Sequence, residues 1–299
     1  MACFRIAGTT LMDLLERAAV RGCPVDRRHL RAAGGVAGRF HSIDYIGTMK
    51  LKLLFAAACA IAATPSIYAA GPAHWSYSGH SSAAHWAELD EGFKTCKLGK
   101  HQSPIDIATK KTEKSADAKP IAFAYTPGAA EIVNNGHTIQ VNLPAGGAVT
   151  LGGTEYKLLQ FHFHTPSEEK IDGKNYPLVA HLVHRDAQGQ LAVVGVLFKL
   201  GKENAALKPV FAQLPAKEGD KRALDGGFDA AQLLPESRGY YAFAGSLTTP
   251  PCSEEVRWQV LKTPVELSAA QLASFKKLYA MNARPVQPLN DRKVIDVNP

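Results

Sequence analysis

No run of residues in this 299-residue chain is apolar for long enough to span a bilayer; the best candidate, Leu53–Ala63, stops well short of the ~20 residues a membrane helix needs. Nor is there a long run of like charge, and at 46% hydrophobic composition the chain can bury a full core in one or two domains. The net charge of +7 suggests a nucleic-acid partner, but residues 1–69 hold nine Lys/Arg against four Asp/Glu, leaving 25 against 23 beyond them. Most of the basic excess therefore belongs to the leader. No dense basic stripe interleaved with aromatics remains to follow a phosphate backbone, which argues against nucleic acid. No internal repeat or low-complexity linker divides residues 70–299, so one domain is expected there.

Cysteine is scarce, with five in all. Cys3, Cys23 and Cys59 fall in or before a leader. Met49-Lys50-Leu51-Lys52 followed by Leu53–Ala63 has the basic start and short apolar centre of a secretory signal peptide, with a small-residue cleavage site after Ala69. Residues 1–48 would then precede a complete export signal, so Met49 is read as the true start, 49–69 as the signal peptide and 70–299 as the mature domain, periplasmic or secreted. No stable membrane insertion is expected after cleavage. A mitochondrial-type presequence over Thr9–Val20 is opposed by Asp13, Glu16 and Asp26, and a lipoprotein box ending at Cys59 has only Leu53-Leu54-Phe55 as strongly apolar support. The mature chain keeps Cys96 and Cys252, and an exported protein with two cysteines is expected to pair them.

What is present is sheet pattern. Frequent Gly and Pro (25 and 18) punctuate apolar or alternating segments at Ile121–Tyr125, Glu131–Asn134, Thr138–Leu143, Ala148–Leu151, Tyr156–His164, Leu178–His184, Leu191–Leu200, Tyr240–Ala244 and Val256–Leu261. Helical signals are short: Ala205–Gln213, the region Ala230–Leu234, and Ser268–Tyr279 with a capping box of Ser268 and Gln271. Residues 70–119 read as an arm with aromatic anchors Trp75, Tyr77 and Trp86. The fold class expected is mostly β (α+β), a single domain with a large sheet and short peripheral helices.

The chemistry centres on Gln160-Phe161-His162-Phe163-His164-Thr165-Pro166-Ser167-Glu168. A strand alternates its side chains, so Gln160, His162 and His164 share one face and Phe161 and Phe163 the other. Leu178–His184 reads as a second strand, joined by a hairpin through Asp172-Gly173-Lys174-Asn175, with Val179, His181 and Val183 on one face and Leu182 and His184 on the other. His181 is thus a third ligand candidate, while His184 reads as a hydrogen-bonded structural histidine. Three neutral imidazoles with a position left open are the donor set of a catalytic zinc that activates water. The bland alternative is a pair of polar residues on a half-exposed strand. A rival is the H-x-H-x3-E motif of cupins, in which Glu168 would ligate iron or manganese, but Tyr176-Pro177-Leu178-Val179-Ala180-His181 lacks the Pro-x-Gly that fold wants before its histidine.

Gly245-Ser246-Leu247-Thr248-Thr249-Pro250-Pro251 joins these strands, Gln102-Ser103-Pro104-Ile105-Asp106-Ile107 and Asn134-Asn135-Gly136-His137 in the order and wording of the α-carbonic anhydrases. The resemblance runs from His74-Trp75-Ser76-Tyr77 to Asn282-Ala283-Arg284-Pro285-Val286-Gln287-Pro288-Leu289, and Cys96 and Cys252 match the exported bacterial branch. It implies a twisted, largely antiparallel central sheet, cis peptides at Ser103-Pro104 and Pro250-Pro251, and interconversion of carbon dioxide and bicarbonate. By the same resemblance His162, His164 and His181 bind Zn2+, with Gln160 and Asn282 supporting the ligands. Thr248 accepts a hydrogen bond from the hydroxide and donates its own to Glu168, and His137 shuttles the proton out, unless it is a plain turn residue after Asn-Asn-Gly. Val183, Val193, Leu247 and Trp258 form the apolar substrate wall, and Thr249 borders bicarbonate. One departure stands out. The family typically has a glutamate two residues before the third histidine, to accept that ring's free N–H, and here the position is Val179. His181 is expected to use water, a backbone carbonyl or another side chain, and to hold its metal less firmly. Oligomeric state is not legible in the sequence.

Intact-mass analysis of the exported protein should place the mature N-terminus near residue 70; a terminus before Met49 would overturn the leader reading.

Overall fold

The computed structural model describes residues 73–298 apart from Ala116, and the expected leader, start and signal peptide lie outside the described residues. One sheet dominates. Its ten-strand path runs Lys221–Ala223, Glu131–Asn134, Ile139–Asn142, Thr154–His164, Leu178–Arg185, Leu191–Leu200, Glu254–Leu261, Tyr240–Ser246, Ile295–Val297 and Glu113–Lys114. Most neighbours are antiparallel. Leu191–Leu200 pairs in parallel with Glu254–Leu261 and with Val265–Leu267, and Ile295–Val297 in parallel with Glu113–Lys114. The connection between the two histidine strands is not one hairpin. Asp172-Gly173 turns between two short strands, Lys170–Ile171 and Lys174–Asn175, which form a separate small sheet with Asp106–Ile107.

The sheet is buried on both faces, which is why its central strands are almost continuously apolar. Phe161, Phe163, Leu182, Val194 and Phe198 pack on one face with Phe275 from the helix Ala269–Lys276. Val179, Val183, Val193, Leu197 and Trp258 pack on the other, beneath Ile105 and Ile107. Helices are short and peripheral. The segment expected at Ala205–Gln213 is helical only over Lys208–Ala212, and Ala230–Leu233 is a single 3-10 turn. The expected box at Ser268 is formed in both directions: its hydroxyl accepts the Gln271 N–H and the Gln271 side chain accepts the Ser268 N–H. No helix among the described residues is long and apolar enough to cross a membrane. Cis peptides occur at Ser103-Pro104 and Pro250-Pro251, and also at Thr165-Pro166, which was not anticipated.

The arm turns through Trp86–Leu89 and Thr95–Leu98 and is fastened by the Cys96–Cys252 disulfide across 156 residues. In the chain-entropy picture a closure of that length stabilises by at most ~5 kcal/mol. Thiol titration of unfolded, unreduced protein should find neither Cys96 nor Cys252 free, and reduction should lower the unfolding midpoint.

Candidate active site

Antiparallel pairing sets His181 directly opposite His162, Val179 opposite His164 and Val183 opposite Gln160. Alternation then brings the three histidines onto one face, and one nitrogen from each converges within 4.8 Å of the others. The second nitrogen of every ring is held by protein. His162 Nδ1 is 2.9 Å from Gln160 Oε1, His164 Nδ1 is 2.7 Å from the Asn282 carbonyl, and His181 Nε2 lies 3.0 and 3.2 Å from the two oxygens of Glu169. Each of these oxygens accepts from a ring N–H, so the remaining nitrogen keeps its lone pair for the centre. His164 Nε2 is buried with no hydrogen-bond partner, the kind of orphan that a cation satisfies.

Electrostatics favour neutral rings at two of the three positions. Burial, reinforced by His181, pushes His162 down to about 3, and burial with repulsion from both neighbours takes His164 well below the usual imidazole range. His181 also suffers burial, but the Glu169 and Glu168 carboxylates outweigh it and raise its proton affinity. Neutral nitrogen donors without a thiolate suit a divalent ion of the zinc type with room for a further ligand.

Glu168 is fully buried beneath the rings. Its Oε1 accepts the Arg284 N–H at 2.8 Å, while Oε2 sits 3.5 Å from His164 Nε2 and 3.8 Å from His181 Nδ1. Burial raises its carboxyl to about 7 against the pull of His181. The Thr248 hydroxyl is near enough to favour the charged form, yet Oε2 has no formed hydrogen bond. A cation at the ring nitrogens would add to that pull and keep Glu168 ionised.

A cavity of about 170 Å³ opens onto this centre, lined by His162, His164, Val183, Leu247, Thr249 and His137 among others. Val193 and Trp258 do not line it; they are buried behind Val183, and Trp258 sets its ring 4.8 Å from that of His181. Gly245 packs closely under this indole: a Cβ there would clash with the Ser103 hydroxyl and come 2.7 Å from the Trp258 ring. A larger cleft of about 460 Å³ lies around Lys157 and Arg185, away from the rings, so size does not mark the site.

His137 belongs to a turn in which Asn135 Oδ1 accepts its N–H at 3.0 Å and Gly136 takes φ +84°, a conformation other residues rarely adopt. It is half-buried and stacked at 3.6 Å on Trp75, with His74 at 6.4 Å. Burial, and then repulsion from His74, lowers its pKa below 6.5, with Glu218 opposing. His184 lies on the other side of the sheet, its Nε2 2.7 Å from the Tyr125 hydroxyl and its ring kept neutral by burial with a pKa of about 4.

Of the acceptors open to His181, water, a backbone carbonyl or another side chain, it is a side chain that takes the ring N–H. Val179 is fully buried and makes no polar contact, and the acceptor is Glu169, one residue past the glutamate that the motif singles out. Parity could not reveal it, because Glu169 lies in the irregular connection after the strand. Two further residues were not singled out for the site. Tyr77, read as an anchor, puts its ring on the cavity and buries a hydroxyl with no partner. Arg284 holds Glu168 through its backbone, while its side chain donates to Gln102 Oε1 and to the carbonyls of Ser103 and Cys96.

A family model described as eukaryotic-type carbonic anhydrase matches residues 81–298. A carbonic anhydrase of Neisseria gonorrhoeae is 47% identical over 226 residues, 75% of this chain and 88% of the relative, and one of Klebsiella pneumoniae is 46% identical over 253 residues, 83% of this chain and all of the relative. Among solved structures, an α-carbonic anhydrase from Thermovibrio ammonificans, in complex with the inhibitor sulfanilamide, superposes with a TM-score of 0.74 at 50% identity, covering 75% of this chain and 100% of that one.

Gln160→Ala, which removes the acceptor from His162, should weaken metal affinity ~10–100-fold in a chelator competition. Unchanged affinity in the folded variant would show that Gln160 does not orient that ring.

Proposed function

The chain belongs to the α-carbonic anhydrase family, and on that premise we propose that it hydrates carbon dioxide reversibly to bicarbonate and a proton with Zn2+ at His162, His164 and His181. The observation that carries this reading is the convergence of three ring nitrogens, each ring clamped through its other nitrogen. Zinc bound there supplies Lewis acidity, which makes hydroxide available from water near neutral pH.

The protein's own residues do the rest. Glu168, anchored by the Arg284 N–H, offers Oε2 as an acceptor. A Thr248 hydroxyl that donates to it can only accept from the nucleophile, so the nucleophile's proton is directed away and its lone pair faces the substrate. Val183 and Leu247, backed by Val193 and Trp258, give the cavity a side that small nonpolar carbon dioxide tolerates and that water gains nothing from wetting. Thr249 lines the cavity with a hydroxyl that can border charged bicarbonate as it leaves. His137, poised between the cavity and the exposed His74, takes the proton outward. Ester hydrolysis is a side activity on this reading, because the wall leaves no evident acyl pocket. The disulfide supports a periplasmic or secreted location.

Metal analysis of the purified protein should find one zinc per chain, and a hydration assay should find activity that chelation abolishes; zinc without hydration would leave a binding module of the same fold. His137→Ala should slow turnover severalfold in dilute buffer while sparing zinc, because proton export would then limit the rate. Added imidazole should restore it. A slow variant that imidazole does not rescue would remove His137 from the shuttle role.

A further inference from the structure

Glu169 is fully buried, and both its oxygens lie on one atom, His181 Nε2, at 3.0 and 3.2 Å. Among the described residues its one ionic partner within 4 Å is that ring. Its backbone is fixed: the Ser167 hydroxyl donates to the Glu169 carbonyl at 2.7 Å and accepts the Tyr176 N–H at 2.9 Å. Val179 precedes His181 by two residues on the same strand, so it shares that ring's face, and it is fully buried with Ile105, Ile107, Tyr241 and Val256.

We propose that Glu169 is the positioning residue for His181, and that 169 and 179 are mutually exclusive places for the one carboxylate this ring can use. The inference rests on the reading of the three histidines as a zinc site. His181 has a single outer N–H to donate. Residue 179 is about 7 Å along the strand on the same face, so a glutamate there would reach the same buried space. Two carboxylates competing for one N–H leave one of them buried without a partner, which is costly. An apolar residue at 179 is therefore the complement of a carboxylate at 169. The ring is oriented from the connecting segment, and its own strand contributes only packing.

The test uses the zinc-loaded protein and follows zinc loss to dipicolinate, together with the unfolding midpoint. Glu169→Ala should speed zinc loss ~10–100-fold. Glu169→Gln should speed it less, because an amide oxygen still accepts the N–H but carries no charge. Val179→Glu added to Glu169→Ala should bring the rate back to within severalfold of the native value, an outcome that a role confined to packing would not produce. Val179→Glu alone should lower the unfolding midpoint without slowing zinc loss. If the alanine variant does not fold, the comparison is made between Glu169→Gln and its combination with Val179→Glu. The proposal is overturned by a folded Glu169→Ala or Glu169→Gln protein that loses zinc at the native rate, or by Val179→Glu slowing zinc loss while Glu169 is present. Native protein that binds no zinc would instead sink the functional reading.

Discussion

The register of Thr154–His164 against Leu178–Arg185 decides the metal geometry, because His162 faces His181 only in the pairing observed. A slip of one residue would carry His181 through the sheet to the face where Phe161, Phe163 and Leu182 pack. Fully burying each of those side chains is worth ~1.5–3 kcal/mol, and the slip would forfeit several such contributions while burying imidazoles without partners. The apolar face therefore holds the polar one in place. Both faces are covered, so the site inherits the rigidity of a core.

Around this register the polar groups form one connected set. Arg284 is a buried cation whose side chain forms no ion pair within 4 Å among the described residues; carbonyls of Cys96 and Ser103 and the Gln102 side chain accept from its two terminal nitrogens, and its guanidinium lies 5.5 Å from the centre of the Trp86 ring. Burial costs it proton affinity, to about 10, far above any working pH. Gln102 in turn donates to the Cys252 carbonyl and to Glu254. The arm and the disulfide are thus linked through the side chains of Gln102 and Arg284 to the residue whose backbone N–H holds the Glu168 carboxylate.

The strands of four or more residues were legible from continuous or alternating apolar runs: Leu191–Leu200, almost continuously buried, and Glu131–Asn134, alternating, fall where the pattern puts them, and the histidine parity follows from the period of a strand. The two- and three-residue strands were not, since Asp106–Ile107 or Lys221–Ala223 is too short for any period to register and owes its conformation to partners far along the chain. The site divides the same way. Residues on strands could be placed by counting, whereas Glu169 and Arg284 stand in irregular segments whose direction depends on tertiary contacts. Tyr77 belongs to an arm whose aromatic residues signal packing and say nothing of a cavity. Glu168 and Glu169 are neighbours in sequence with different partners, a distinction no pattern carries.

The clamp on His164 comes from Asn282, 118 residues later, and that on Glu168 from Arg284, 116 residues later. A chain made from its N-terminus onward therefore has its three histidines, and the Gln160 and Glu169 that hold two of them, well before it has the groups that hold His164 and Glu168. Until the last stretch arrives, His164 and Glu168 would lack the partners that aim them. A truncation near residue 280 would spare all three histidines yet remove the acceptor of one ring and the anchor of Glu168, so the polar centre is completed only when the two ends of the domain meet.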